Sequence, residues 1–532
     1  MAERDDGGRG KRARQDVGDA SHGGGGDGIE IRDARSLRRV LAGVQKKVKE
    51  NLELRLKYPD QPERFMDSEV DLDQELQRLQ SLATVAWLYP EFIRLDGIPM
   101  LLGLLGSHEN ASITKDVVFV LSELLDADAA EDRPDEAAML AGALLDGGVL
   151  ALVVDVLYRS DETVTEEAES VYHALSLLEN MLELKPAVAE RLVAGASDQK
   201  PIQGWLLRRV GAPEHDSNRL YASEILTILL QGSDENKRVL SGPGCNGVEA
   251  VLQAIARFRK VDPAKGEEEE FLENLFDALC AFAMAPEAKR ALLDGEALAL
   301  MILMMKKRKA ARAPAMKVVS FAVADSVRMC EHLVDARGLG PLFGLFMGKG
   351  LDYSKQKKRE RAKVLTEHVL SILASALQQL KAGARRDRIL SKFVEGDYEK
   401  CDRLVELWED YHGRVSAAID AGVATDATDA GDAEEQYLDL LDQGLYVLQQ
   451  IAVILAHCWA SGIAGVQKRL VFVLRQHSHG LEDVCHVLKR KYRFMFEVDD
   501  GEVTKATNAA SGGGDESQKT QLMKLIQCTT VQ

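Results

Sequence analysis

One motif returns along this chain and limits what the chain can become: a glycine turn followed by a short, leucine-rich helix. Its clearest copy is Leu95-Asp96-Gly97-Ile98-Pro99-Met100-Leu101-Leu102-Gly103-Leu104-Leu105-Gly106. Glycine permits a sharp turn at the helix entrance. Proline suits the first helical turn, where its missing N–H has no intrahelical partner to lose. Related starts follow at Leu145-Asp146-Gly147-Gly148, Gly204, Gly247, Leu293-Asp294-Gly295 and Gly338. Counting on from Gly97, the spacings are 50, 57, 43, 48 and 43 residues. A unit of this length cannot bury its apolar side alone, so its recurrence implies units stacked on one another.

After each glycine-led helix the pattern predicts a loop and a longer apolar helix. These second helices are expected over Ile113 to Leu125, Val171 to Leu184, Leu220 to Leu230, Phe271 to Met284, Met316 to Ala324 and Val364 to Leu380. In the second of them Val171, Ala174, Leu175, Leu178 and Leu182 form one stripe, with Leu177, Met181 and Leu184 beside it. A helix apolar on two adjoining faces is expected inside a stack. Hydrophobic residues make up 46% of the chain but aromatics only 5%, so Leu and Ala carry the core, which favours helix-on-helix packing. No segment alternates as a strand would. The expected fold is an all-α, right-handed superhelical solenoid of the armadillo or HEAT kind.

The flanks read differently. Residues 1–30 are Gly, Asp and Arg with little to bury, a disordered arm carrying Lys11, Arg12 and Arg14 as a candidate nuclear-localisation signal. Residues 31–90 are expected to form a helical cap: an amphipathic helix from Asp33 to Lys57, a break at Tyr58-Pro59-Asp60-Gln61-Pro62, and a helix capped by Asp71 or Asp73. The repeat array is expected over 91–395 and a C-terminal helical region over 396–498. Within that region one helix is expected from Phe393 to Tyr411, one from Tyr437 to Trp459 and two within Gln467 to Phe494, with an acidic linker near 420–433. The tail, 499–532, is flexible and ends in Leu522, Met523, Leu525 and Ile526, expected to dock back on the body.

A net charge of −18 repels nucleic acid overall and suits basic peptides, so direct RNA contact is not expected. The basic runs Lys306-Lys307-Arg308-Lys309 and Lys355 to Arg361, the latter placed in a loop after Gly350, are read as solvated charge, since no aromatics interleave them. Seven scattered cysteines without CxxC spacing read as free thiols of a reducing compartment. The charged, glycine-rich start is unlike a secretory signal, and no run of about 18 apolar residues could span a membrane. A soluble intracellular protein without membrane contact is expected. There is no G-x-S-x-G, H-E-x-x-H or G-x-G-x-x-G motif, and no cofactor is expected. His477, His479, Cys485 and His486 fit no common zinc spacing and are read as structural. The chain is expected not to be an enzyme.

The Gly-Ile-Pro-x-Leu-Leu-x-Leu-Leu helix, followed by Val118-Phe119-Val120-Leu121-Ser122-Glu123-Leu124-Leu125, resembles the armadillo repeat. Three further stretches sharpen the likeness: Leu54-Arg55-Leu56-Lys57-Tyr58-Pro59-Asp60-Gln61-Pro62-Glu63-Arg64-Phe65-Met66, Glu273-Asn274-Leu275-Phe276-Asp277-Ala278-Leu279-Cys280 and Leu441-Asp442-Gln443-Gly444-Leu445-Tyr446-Val447-Leu448-Gln449. With them the chain resembles the beta-catenin-like protein 1 family of nuclear armadillo proteins, from about Val44 to Gln527. The resemblance implies a nuclear, non-enzymatic scaffold of the spliceosome that binds basic, nuclear-localisation-type segments of splicing factors. It also implies association with the complex built around the cell-division-cycle-five-like factor and a ubiquitin ligase, and a possible homodimer. An import adaptor for basic cargo is the alternative. Armadillo import receptors hold peptide backbones with an asparagine on each third helix. The matching positions here are Glu123, Leu177, Ile228 and Ala281, so the ladder is absent and Glu123 is the candidate groove residue.

Overall fold

The computed structural model describes residues 30–126, 131–195, 200–306, 310–352, 354–423, 430–496 and 518–530. All regular elements among them are helical. The candidate signal Lys11, Arg12 and Arg14 lies outside the described residues. The chain divides into two compact units, Met1–Gly147 and Gly148–Gln532.

In the first unit, α1 (Ala34–Lys57) opens on a capping box in which Asp33 and Ser36 satisfy each other's backbone N–H. Its stripe Leu37, Val40, Leu41 and Val44 is buried against α2 (Met66–Arg78). The second helix begins earlier than expected: Asp71 and Asp73 lie inside it and do not cap it. Pro62 starts a 3-10 turn instead, and Phe65 is the N-cap residue. A further 3-10 stretch, Leu79–Leu88, and α3 (Tyr89–Arg94) follow. Then come α4 (Gly97–Ser107), α5 (Ala111–Leu124) and α6 (Pro134–Asp146).

The recurring glycine has a specific cause. It is Asp96, not Gly97, that takes the left-handed conformation at the α4 entrance, with φ 58°. Gly97 is required because a Cβ there would lie 2.2 Å from the Phe92 ring. In the second unit Gly338 repeats the device: Arg337 is left-handed at φ 62°, and a Cβ on Gly338 would lie 2.5 Å from Leu333. Gly204 departs from the pattern. It sits within a helix that begins after Pro201, with no left-handed residue before it.

The second unit opens with α7 (Val149–Arg159) and α8 (Thr165–Leu184), then repeats a short, short, long pattern four times. The triplets are α9 (Val188–Ala194), α10 (Ile202–Gly211) and α11 (Ser217–Gln231); α12 (Asp234–Ser241), α13 (Gly247–Ala256) and α14 (Glu267–Met284); α15 (Ala288–Asp294), α16 (Ala297–Met305) and α17 (Arg312–Val323); and α18 (Val327–Asp335), α19 (Leu339–Phe346) and α20 (Gln356–Gln379). Each long helix packs on the next, α8 on α11, then α14, α17 and α20. Leu178, Leu226, Leu275, Val319 and Leu370 are fully buried along this row, each contributing about 1.5–3 kcal/mol by burial. The arrangement is an all-α solenoid of armadillo or HEAT type.

The long helices start before their apolar stripes do, because their first turns are polar and solvated. Lys357, Lys358, Arg359 and Arg361 therefore lie in the opening turns of α20, not in a loop. The expected helix from Phe393 to Tyr411 is interrupted. Here α21 (Ala384–Lys392) ends, Asp397 and Tyr398 are left-handed, and α22 (Glu399–Ala418) begins. The helix expected from Tyr437 to Trp459 is also two, α23 (Ala430–Asp442) and α24 (Leu445–Ala460), bent at Gly444, whose φ is 100°. The Tyr411 ring lies where a Cβ on Gly444 would project, so this bend is packed as well as strained for other residues. Of the linker expected near 420–433, residues 420–423 lie in a π-helical turn, 424–429 lie outside the described residues, and 430–433 are not linker but the opening of α23. Two helices follow, α25 (Ala464–Gln476) and α26 (Leu481–Phe496), and then α27 (Gln518–Thr530), whose Leu522, Met523, Leu525 and Ile526 are buried. It packs on α24 and α26. The seven cysteines are free thiols, and no single helix among the described residues is long and apolar enough to cross a membrane.

Candidate peptide-binding surface

The long helices of the second unit share one polar seam, which continues from α20 onto α24. On α8 and α11, Tyr172 and Tyr221 pack ring to ring at 5.3 Å, and the Tyr221 hydroxyl donates to Glu179. Between α11 and α14, Asn274 Nδ2 donates to Ser223 Oγ at 3.1 Å, and Thr227 Oγ1 donates to the Asn274 carbonyl at 2.9 Å. Between α14 and α17, Lys317 Nζ lies 3.2 Å from Asp277. Ser320 on α17 donates to Ser371 on α20 at 3.2 Å, and Ser371 lies 3.5 Å from the Tyr446 hydroxyl on α24. Polar groups at a helix–helix seam must be paired or wet, and these pairs fix the register of successive helices.

The chemistry facing solvent is acidic and aromatic. Glu270, Glu273 and Asp277 stand at i, i+3 and i+7 of α14, one face of a helix. Glu273 is exposed, yet the desolvation it suffers, reinforced by the like charges of Asp277, Glu269 and Glu270, pushes its carboxyl above its ordinary value; Arg361 offsets part of this. Crowded carboxylates of this kind are stabilised by an arriving cation. Further along, Glu367 accepts from the Tyr411 hydroxyl at 2.8 Å and lies 3.7 Å from Lys363. Tyr172 and Tyr446 are 37% and 49% exposed, enough to offer ring faces to a guanidinium or ammonium group. His368, by contrast, is held neutral: burial, with Lys317 nearby, pushes it down to about 4.

The positions expected from sequence fare unevenly. Leu177 and Ala281, matched to the asparagines of import receptors, are core residues at 0% and 1% exposure. Ile228 is half-buried. Glu123 belongs to the first unit, half-buried near the end of α5, where its carbonyl accepts the Asp126 N–H at 3.3 Å. The one asparagine on the seam of α14, Asn274, is committed to Ser223. Glu273 and Asp277 carry little signal of their own in the sequence, because they continue at helical spacing the acidic run Glu267 to Glu270 that opens α14. The histidine group assembles no metal site. Cys485 is buried and hydrogen-bonds Thr530 at 3.3 Å, His477 and His486 are exposed, and His479 lies 2.8 Å from Glu409. No group of three metal-ligating side chains occurs among the described residues.

Comparison with known sequences settles the lineage. The model of the family described as "Catenin-beta-like, Arm-motif containing nuclear" matches residues 16–489. The chain belongs to the catenin-beta-like family. Beta-catenin-like protein 1 of Homo sapiens is 38% identical over 468 residues, covering 86% of this chain and 81% of the relative. The Rattus norvegicus protein matches to the same extent. The homolog of Schizosaccharomyces pombe is 33% identical over 470 residues, covering 87% of this chain and 79% of its own. Catenin-beta-like proteins are nuclear and non-catalytic, and the matched span takes in the whole row from α8 to α24.

Proposed function

We propose that this chain is a non-enzymatic scaffold of the spliceosome that holds basic, nuclear-localisation-type segments of splicing factors against the row of long helices. Its family supplies the setting: spliceosome-associated nuclear armadillo proteins that act as scaffolds. The observation that carries the peptide reading is the stripe of Glu270, Glu273 and half-buried Asp277 on one face of α14, on a body of net charge −18. Carboxylates provide charge-assisted hydrogen bonds to lysine and arginine, and the overall field steers basic segments toward them. Members of the cell-division-cycle-five-like complex are the proposed partners, with a homodimer as a further proposed state. In the first unit, Glu123 is the proposed additional contact. Lys11, Arg12 and Arg14 are the proposed nuclear address, on an arm ahead of a helical cap at 31–90, a repeat array at 91–395, a C-terminal region at 396–498 and a tail at 499–532. Import of basic cargo is the less favoured role, since no asparagine stands at the ladder positions Glu123, Leu177, Ile228 and Ala281.

Affinity purification from nuclear extract with the full chain as bait, followed by mass spectrometry, tests the reading. Splicing factors with basic segments are the expected prey. Recovery of import-machinery components without splicing factors would reverse the preference.

A further inference from the structure

A second surface of the same unit carries the opposite charge. On α25, Val466, Leu470, Val473 and Leu474 face the core, and the other side presents Lys468, Phe472 and Arg475 at i, i+4 and i+7, one face of the helix. These side chains border an open groove of about 630 Å³ whose wall includes Val471 and Trp459 from α24. Phe472 is 53% exposed. The Trp459 indole is fixed in place by donating to the Cys528 carbonyl of α27 at 3.1 Å. Neighbouring Arg469 is neutralised by Asp402 through two bonds of 2.6 and 2.7 Å. Lys468 and Arg475 have no ion-pair partner among the described residues.

We infer that this groove docks an acidic segment of a partner protein bearing an apolar anchor, with the anchor between Trp459 and Phe472 and its flanking carboxylates on Lys468 and Arg475. Charge complementarity selects the occupant. On a chain of net charge −18, two unpaired cations bracket an exposed aromatic side chain, the combination that marks a binding patch with a hot-spot anchor and a charged rim. A second copy approaching through this same face would set Lys468 and Arg475 against their own like charges, since such an interface is self-complementary. The scaffold thus offers an acidic seam to basic segments and a basic, aromatic groove to acidic ones.

The test uses the full chain and a fluorescein-labelled synthetic peptide of glutamate and aspartate around a central Phe and Leu, read by fluorescence anisotropy. Saturable binding is expected, lost at high salt. It should weaken about tenfold or more, equivalent to about 1.4 kcal/mol, in Phe472→Ser and separately in Lys468→Glu/Arg475→Glu. All three positions are exposed, so thermal melts of these variants should match the parent. Glu273→Lys/Asp277→Lys should leave this peptide's affinity at least unreduced. No saturable binding, or affinity unchanged in both groove variants, overturns the inference. So does sedimentation showing a parent dimer that Phe472→Ser converts to a monomer, because the face would then belong to a second copy.

Discussion

Asn274 donates its side-chain amide to Ser223 Oγ at 3.1 Å across the α11–α14 seam, while its own carbonyl accepts Thr227 at 2.9 Å. Asn274 lies on the third helix of its repeat, seven residues before Ala281, the position matched to the asparagine of import receptors. Here it staples two helices. Asn274→Ala should therefore cost stability, about 1 kcal/mol for a hydrogen bond lost at a partly buried seam, and leave affinity for a basic peptide within about twofold, or about 0.4 kcal/mol. Denaturant melts and peptide titrations on the same variant separate the two effects. A large loss of affinity without loss of stability would mean that Asn274 contacts peptide after all.

The glycine-led helix makes a sharp comparison within one helix. A Cβ at Gly97 would lie 2.2 Å from the Phe92 ring, whereas at Gly103 nothing lies within 4 Å. Gly97→Ala should destabilise the first unit by about 2 kcal/mol or more through forced displacement of a buried ring. Gly103→Ala should stabilise it by about 0.5–1 kcal/mol through helix propensity. Thermal unfolding of the two variants beside the parent decides this, and equal effects would contradict the close-packing account.

His368 predicts a pH dependence. Its folded-state pKa is pushed down to about 4, below its ordinary 6.5, by burial and by Lys317. The unfolded chain then binds the proton more readily between these values, so the contribution to stability is complete above pH 6.5 and is lost as pH falls toward 4. His368→Gln removes the proton site. Relative to the parent, the variant should gain on the order of 1–2 kcal/mol between pH 7.5 and pH 5, read as the difference in denaturant midpoints at the two pH values. A pH-independent difference would refute the buried-neutral assignment.

The sequence was most readable where apolar periodicity and chain-breaking residues coincide. The cap helix from Asp33 to Lys57, the break at Pro62 and the long helices of the row all carry such signals. The long helices start ahead of the apolar stripes that signal them, because their opening turns, such as Gln356 to Arg361 on α20, are solvated. The bend at Gly444 has little sequence signal because the apolar positions Tyr437, Leu438, Leu440 and Leu441 run on at helical spacing into α24, and the Tyr411 ring that packs there comes from α22, remote in sequence. The surface was harder still to read. Leu177 and Ala281 were matched by position along a helix, but a shift of one or two residues turns a side chain from the rim into the core. Glu273 and Asp277 gain meaning only when α11 and α17 are seen to flank them.

Anisotropy titration of a labelled Lys/Arg-rich, nuclear-localisation-type peptide against the full chain and its Glu273→Lys/Asp277→Lys variant tests the central claim most directly. The loss of the exposed Asp277–Lys317 pair should cost under about 1 kcal/mol of stability, so the variant should remain folded. The acidic seam predicts affinity weakened about tenfold or more, about 1.4 kcal/mol, with a flatter dependence on salt than the parent shows. Equal affinity and an unchanged salt dependence in parent and variant would contradict it.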